Sequence, residues 1–379
     1  MTPFRPTEDP EPFVAFDAEL VWAAHADAHG MGFAERVALV HELDDSLKAL
    51  GEPGFTRTPF SRSAELSDAL GFAADGGVWV KDETGNVAGS HKARHLATVL
   101  LHLLACERLG LVGGERSPLA IASCGNAALA AATLAAAIDW PITVFVPPAA
   151  DPNVLDAIAR FGATVVPCPR RGDDPPGDPC IHRFREAVAL GAVPFGVQGP
   201  ENALCLDGGR TIGWEIIEDL GHALDRVFVQ VGGGALATCI GLAAGDEGIH
   251  ARLHAVQTEG CAPLERAWRM ASAMGVGVAA RRWDECMWPW EAEPRSAATG
   301  ILDDETYDWL GIVQAMAGSG GAPVVARESL VVEALDLGRS LTGIDVDATG
   351  TAGLAGLLAL RPQIADSERV AVLFTGRRR

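Results

Sequence analysis

The sequence holds one tyrosine beside nine tryptophans, and its other scarcities each remove a class of function. Its eight cysteines are scattered, without a CxxC pair or a repeated spacing. Neither a zinc site nor a disulfide framework is therefore indicated, and a reducing cytoplasmic interior suits them. No apolar stretch is long and uninterrupted enough to cross a bilayer. The opening MTPFRPTEDPEPF has no basic start followed by an apolar run, so no signal peptide is expected. Basic charge is short as well: 30 Lys and Arg face 50 Asp and Glu, for a net charge of -20. That balance repels phosphate backbones and anionic bilayers, so neither nucleic acid nor a membrane is an expected partner. The one tight basic run, Arg377 to Arg379, reads as a solvated tail. No repeat at a solenoid period is visible.

What is present is an α/β pattern. At 379 residues, 48% of them hydrophobic, the chain can bury a large core and is expected to form two domains. Residues 1–50 read as an N-terminal arm packed on that core. In it His25 and His29 sit one helical turn apart, like a ligand pair; with no third ligand nearby they read as two partly exposed helix histidines. From Gly77, GVWVKDE predicts a strand and GNVAG a turn. HLATVLLHLLACERLG then predicts a helix with Leu96, Val99, Leu100, Leu103 and Leu104 on one face, closed by Gly110. LAIAS and ITVFVP predict strands around an Ala-rich helix from Ala127, and Asp151 caps the helix NVLDAIARFG before the strand TVVPC. A second set follows: GGRTIGWEIIEDLG, RVFVQV, ALATCIGLAAG and RLHAVQ. The polar residues 281–310 interrupt it, and helices from Leu330 and Thr349 and the strand RVAVLF close it. Hydrophobic, non-alternating strands between helices imply parallel sheets covered on both faces.

Three segments carry chemistry. Lys92, in GNVAGSHKARH, stands where a glycine-bearing turn enters a helix; alone, it resembles the many helix-start lysines that are merely solvated. ASCGNAALA places Ser123, Cys124, Gly125 and Asn126 at the first turn of a helix. Free N–H groups and the positive end of the helix dipole suit a carboxylate or phosphate there, unless Ser123 or Asn126 simply caps the helix. In VQVGGGALA a buried strand meets Gly232, Gly233 and Gly234 before another helix, a loop bare enough for phosphate oxygens to reach backbone N–H groups. The same segment fits the dinucleotide fingerprint G-x-G-x-x-A through Gly232, Gly234 and Ala237, with Glu259 ending the next strand. That rival reading, a nicotinamide-dependent oxidoreductase, leaves Lys92 and the SCGN turn without a role.

In chain order TPF (Thr58 to Phe60), KDE, GSHK, SCGN, VGGGAL, VQTEG, GTAGLAGL and FTG resemble the fold type II pyridoxal-phosphate enzymes. This is the tryptophan synthase β-subunit superfamily, which includes threonine synthases and serine/threonine dehydratases, and the resemblance covers roughly residues 57–376. It implies an α/β, two-domain architecture, each domain a mainly parallel sheet flanked by helices. Residues 1–92 and 201–379 would form the larger, cofactor-binding domain, and residues 93–200 the smaller one carrying the SCGN turn. It also implies roles for single residues. Lys92 would form the Schiff base with pyridoxal 5'-phosphate and move protons at Cα; Gly232, Gly233, Gly234, Ala235 and Leu236 would hold the cofactor phosphate. Asn126 would bond the cofactor 3'-oxygen, and Ser123, Cys124, Gly125, Asn126 and Ala127 would hold the substrate carboxylate. Thr375, in FTG, would sit at the pyridine nitrogen, where a neutral hydroxyl biases the ring towards expelling a β or γ substituent.

Before the lysine, where synthases and dehydratases of this family have Phe, the chain has His91, as in the tryptophan synthase β-subunit, and after it Ala93-Arg94-His95 replaces the Asp-Arg-Gly of threonine synthases. The expected activity is α,β-elimination on a β-hydroxy amino acid such as threonine, serine or a bulkier analogue. The alternative is a threonine-synthase-like or other β/γ-replacement. The expected partners are a small amino-acid substrate and a second copy in a homodimer, with no metal and no appended regulatory domain. Trp283, Trp288 and Trp290, three in eight residues of loop, read as cover for a domain surface or dimer contact; the sharper reading puts one in the substrate pocket.

Overall fold

A computed structural model describes residues 7–378, so Arg379 and the first six residues of the N-terminal segment lie outside the described residues. Ten strands are present among those described: β1 (Phe60–Ser63), β2 (Gly77–Asp82), β3 (Leu119–Ala122), β4 (Ile142–Val146), β5 (Thr164–Pro167), β6 (Val193–Pro194), β7 (Arg226–Gln230), β8 (Arg252–Thr258), β9 (Val324–Ala326) and β10 (Arg369–Phe374). They fall into two compact units: residues up to 57 with 86–211, and residues 58–85 with 212 onward. This division differs from the expected one at both ends. The N-terminal arm packs with the unit that carries the SCGN turn, and the turn before Lys92 goes with it.

In that unit a four-stranded sheet, β5-β4-β3-β6, is parallel throughout. Its Lys92–Arg108 helix was expected to bury one leucine face. Instead every residue from Ala93 to Leu101 is buried, while Leu103 and Leu104 are only partly so. The reason is cover from three sides: the helices Val21–Ala28 and Phe33–Ala49 of the arm and the Asn126–Ala137 helix all pack against it. Asp151 caps the Pro152–Arg160 helix as expected, its carboxylate accepting from the Asn153 N–H at 2.8 Å.

The other unit is built on a six-stranded sheet, β1-β2-β10-β7-β8-β9, parallel except for the antiparallel edge pair β1–β2. Successive residues of its central strands point to opposite faces. Val227, Val229, Ala371 and Leu373 join one core, and Phe228, Val370, Val372 and Phe374 the other. Both faces are thus covered, which is why these strands read as unbroken apolar runs. The GTAGLAGL motif acquires a packing reason here. The Ala352–Leu360 helix lies so close to the sheet that a Cβ on Gly353 would stand 2.8 Å from the Phe228 carbonyl oxygen and one on Gly356 2.3 Å from Val256. The basic tail is partly pinned: the Arg378 N–H donates to the Asp345 carbonyl at 3.0 Å.

A charged network is sealed inside this unit. Lys81 of β2 and Glu215 form an ion pair with side chains 0% and 1% exposed. The Lys81 ammonium also donates to the Thr58 carbonyl at 2.7 Å, the Thr58 N–H donates to Glu215 at 3.2 Å, and the Thr58 hydroxyl donates to Glu83. The TPF and KDE motifs therefore meet in one polar cluster. Glu215→Ala would leave the Lys81 charge buried without its carboxylate and should lower the unfolding free energy by about 3–5 kcal/mol in urea titration. A loss below about 1 kcal/mol, the range of an exposed pair, would show that the ammonium reaches water.

Candidate active site

Lys92 is the first residue of its helix, and the turn that feeds it is strained. Ala88 takes the left-handed conformation at φ 53°, ψ 20°, followed by Gly89 at φ 66°. A non-glycine residue there costs on the order of 1–2 kcal/mol. The Ala88 N–H donates to the Glu52 carboxylate at 2.8 Å, which helps to hold the turn. The polar residues beyond the lysine are buried and bonded. The Arg94 guanidinium donates to Thr211 Oγ1 at 3.1 Å and to the Thr56 carbonyl at 2.9 Å, and His95 Nδ1 lies 2.8 Å from the Cys205 carbonyl. Burial, and then the Lys92 ammonium, push the His95 pKa down to about 3, so this ring is neutral. The lysine is thus backed by a buried polar network while it stays only half-buried itself.

The lysine count is a signal that motif spacing does not convey. The chain contains three lysines, Lys48, Lys81 and Lys92. Lys48 has an exposed side chain near the end of the Phe33–Ala49 helix, beside Asp45. Lys81 is sealed against Glu215. Lys92 alone combines partial burial with a position at a helix start.

The SCGN turn follows β3 in the same unit. Gly125 (φ -130°, ψ -143°), and not Ser123 or Asn126, is the N-cap of the Asn126–Ala137 helix, which therefore has no side-chain cap. The Ser123 hydroxyl accepts only a long bond from the Gly125 N–H, at 3.4 Å. Ser123, Gly125 and Asn126 are partly buried, Ala127 is buried, and Cys124 is the exposed cysteine of the eight.

The glycine loop lies in the other unit. Gly234 (φ 101°) is the N-cap of the Ala235–Asp246 helix, again with no side-chain cap, and Ala235 and Leu236 are buried. Residues 303–308 drape over this loop, a contact the sequence did not disclose. The Asp308 N–H donates to the Gly233 carbonyl at 2.8 Å, and a Cβ on Gly232 would fall 2.2 Å from Asp303 Oδ2. Gln257, of the VQTEG motif, ties the parts together. Its amide nitrogen donates to the Val231 carbonyl and to Thr306, at 3.3 and 3.2 Å, and its oxygen accepts from the Leu264 N–H at 2.8 Å.

Thr375 follows β10 and is buried. The amide nitrogen of Gln230, at the end of β7, donates to Thr375 Oγ1 at 2.7 Å, to the Gly350 carbonyl at 2.8 Å and to the Leu373 carbonyl at 3.1 Å. Two backbone carbonyls fix which end of the amide points this way, so the threonine oxygen is an acceptor towards Gln230. In the sequence Gln230 looks like one more strand residue, and no motif marks it.

Two other readings can be placed. Glu259, the carboxylate of the dinucleotide fingerprint, accepts from the Glu328 N–H at 2.9 Å and so serves the start of the Glu328–Thr342 helix. Each of the three tryptophans has a ring partner. Trp283 meets Trp309 edge to face at 5.1 Å, and the Arg266 guanidinium lies 4.1 Å from the Trp288 ring and 5.1 Å from the Trp290 ring.

Comparison with known proteins bears on these parts together. An L-threonine ammonia-lyase of Geobacter sulfurreducens is 29% identical over 220 residues, 58% of this chain and 49% of that protein, so the match spans about half of that relative's length. A threonine synthase of Mycobacterium tuberculosis is 24% identical over 303 residues, 79% of this chain and 75% of that protein. Among solved structures, maize serine racemase superposes with a TM-score of 0.67 at 17% identity, covering 89% of this chain and 93% of that one. The processed form of threonine deaminase isoform 2 from Solanum lycopersicum also gives 0.67 at 17%, covering 91% and 85%. These two share the fold, which is fold type II. The model of the family described as "Pyridoxal-phosphate dependent enzyme" matches residues 52–376. Since that span takes in the lysine, both glycine-capped helix starts and Thr375, this chain belongs to the family of pyridoxal-phosphate dependent enzymes.

Proposed function

We propose that Lys92 carries the cofactor and that the chain catalyses α,β-elimination on a β-hydroxy amino acid such as threonine, serine or a bulkier analogue, releasing an α-keto acid and ammonia. The observation that carries the lysine assignment is the fate of the other two, one at an exposed helix end and one locked in a buried ion pair. The residues present fit the cofactor. The Ala235–Asp246 helix begins at a glycine loop with no side-chain cap, which suits a phosphate, and a buried neutral hydroxyl ends β10. Bound pyridoxal phosphate supplies an electron sink for the pair left behind when an α-proton departs.

The chain's own groups then have separable tasks. Lys92 would hold the cofactor aldehyde and take or return the proton at Cα. Gly232, Gly233, Gly234, Ala235 and Leu236 would bind the phosphate. Ser123, Cys124, Gly125, Asn126 and Ala127, at a helix start without a side-chain cap, would bind the substrate carboxylate, and Asn126 would also serve the 3'-oxygen. Thr375 would serve the pyridine nitrogen. With Gln230 donating to its oxygen, its hydroxyl would be a neutral donor that does not protonate the ring. This supports elimination of a β substituent over chemistry that needs a long-lived carbanion. A β/γ-replacement is the second reading, and the longer match to threonine synthase favours it.

Screening serine, threonine and phenylserine for keto-acid and ammonia release tests the elimination reading; phosphate release from a γ-phosphorylated amino acid without keto acid would favour replacement. Borohydride reduction of the yellow protein followed by peptide mapping should place the label on Lys92, and Lys92→Ala should lose both the visible band and turnover. A label on Lys48 or Lys81 would sink the assignment.

The glycine loop gives a cleaner test at Gly233 than at its neighbours. A Cβ at Gly232 or Gly234 would stand 2.2 Å from Asp303 or 2.7 Å from Ile312, whereas one at Gly233 comes no closer than 3.2 Å, to the Tyr307 ring. Gly233→Ala should therefore fold, yet weaken cofactor binding by about tenfold or more, the loss of one charge-assisted hydrogen bond. Normal cofactor affinity would reduce the loop to a tight turn.

At Thr375 the informative change is Gln230→Leu. An aliphatic side chain cannot donate to the hydroxyl, which would then be free to turn its hydrogen away from the ring nitrogen. The absorption maximum of the bound cofactor should shift, with kcat lower by about tenfold, the scale of one lost polar contact, and KM little changed. A spectrum and kcat equal to wild type would refute the positioning role of Gln230.

A further inference from the structure

The histidine pair of the N-terminal arm gains, in the folded chain, the partners it lacks in sequence. His25 lies on the Val21–Ala28 helix; His102 and Cys106 lie one turn apart on the Lys92–Arg108 helix. Each offers one ligand atom, and the three atoms fall within 4.8 Å of one another. Cys106 Sγ stands 3.6 Å from His102 Nε2 and 4.0 Å from His25 Nε2. Zinc binds sulfur at about 2.3 Å and imidazole nitrogen at about 2.0–2.1 Å in tetrahedral sites, which makes the sulfur-to-nitrogen edge about 3.6 Å. The His102–Cys106 pair already has that spacing, and His25 Nε2, at 4.0 Å from the sulfur, would have to close on both partners, the two imidazole nitrogens coming to within about 3.3 Å of each other.

We propose that His25, His102 and Cys106 form a binding site for a zinc-class transition-metal ion, which fastens the N-terminal arm to the helix that begins with Lys92. A second observation points the same way. His102 Nδ1 is buried with no hydrogen-bond partner, so, among the described residues, the contact of this ring with Cys106 is its only hydrogen-bonding one. Nε2 of this ring thus meets no group but the thiol, so a metal bound there would displace no stronger hydrogen bond. The donor set, two imidazoles and a thiol, suits zinc or copper and not the hard cations that take oxygen. The Cys106 thiol would release its proton to solvent on binding. His29, whose ring lies 4.3 Å from that of His25, and water are the candidates for the fourth position. His25 and His102 are only partly buried, so an ion can enter from solvent.

The holoenzyme, freed of metal by a chelator, can be titrated with Zn2+ and separately with Co2+. The expected result is one saturable equivalent per chain, a higher melting temperature with Zn2+, and with Co2+ a thiolate charge-transfer band in the difference spectrum. Cys106→Ser should abolish that band. His102→Ala and His25→Ala should each weaken zinc binding by about 100-fold or more, and His41→Ala, an exposed histidine of the same arm, should leave it unchanged. Absence of the thiolate band in the wild-type protein overturns the site without recourse to any variant. So does zinc binding that survives the combined Cys106→Ser and His102→Ala changes, or a cobalt-induced shift of the cofactor band in place of the thiolate band.

Discussion

Burying the helix that begins at Lys92 on every side, from Ala93 to Leu101, forces Arg94, His95 and Thr98 inward, and each must then find a partner inside the protein. They find them on residues distant in sequence: Arg94 on Thr56 and Thr211, His95 on Cys205, Thr98 on the Leu204 carbonyl. Those bonds carry a directional consequence that apolar packing would not. The helix can neither rotate nor slide without breaking several of them, so the position of its first residue is fixed. The strained turn at Ala88 is the price of bringing the chain into that helix at the required angle. His95, where threonine synthases have Gly, thus has a structural task in holding this helix.

A related constraint governs how helices are started. The Pro152–Arg160 and Pro179–Ala189 helices begin at Asp151 and Asp178, whose carboxylates accept from their own first turns. The Asn126–Ala137 and Ala235–Asp246 helices begin at Gly125 and Gly234 instead, without a side-chain cap. An aspartate at either place would stabilise the helix by about 1 kcal/mol and would also occupy it with a negative charge. Forgoing that cap keeps each helix start compatible with an anion that comes from outside the chain.

Much of this was legible because it is local. The strands GVWVKDE, LAIAS, ITVFVP and RVAVLF, the glycine loop and the cap at Asp151 each depend on neighbours a few residues away, and each stands where it was expected. What was not legible depends on pairing across the chain. The antiparallel edge strand β1 and the short β9 owe their assignment to β2 and β8. The arm's place follows from packing on the Lys92–Arg108 helix, and residues 303–308 draw their meaning from the glycine loop beneath them. His25 lacks a third ligand in its own stretch of sequence, and Cys106 comes 81 residues later. No window short enough to show a helical period contains both.

The end of β10 shows why charge is absent from the position of Thr375. Thr375 is 2% exposed and Gln230 5%. An ionised carboxylate placed there would lose its hydration and would need a cation close by to remain charged. The neutral pair needs no such counter-charge, because the Gln230 amide nitrogen is shared among two backbone carbonyls and the threonine oxygen. A hydroxyl that accepts from an amide is also polarised as a donor. Were such a group set against the ring nitrogen, as proposed for Thr375, it would offer a neutral hydrogen bond and no full positive charge. The depth at which this strand end is buried is therefore what makes a neutral residue the stable choice there.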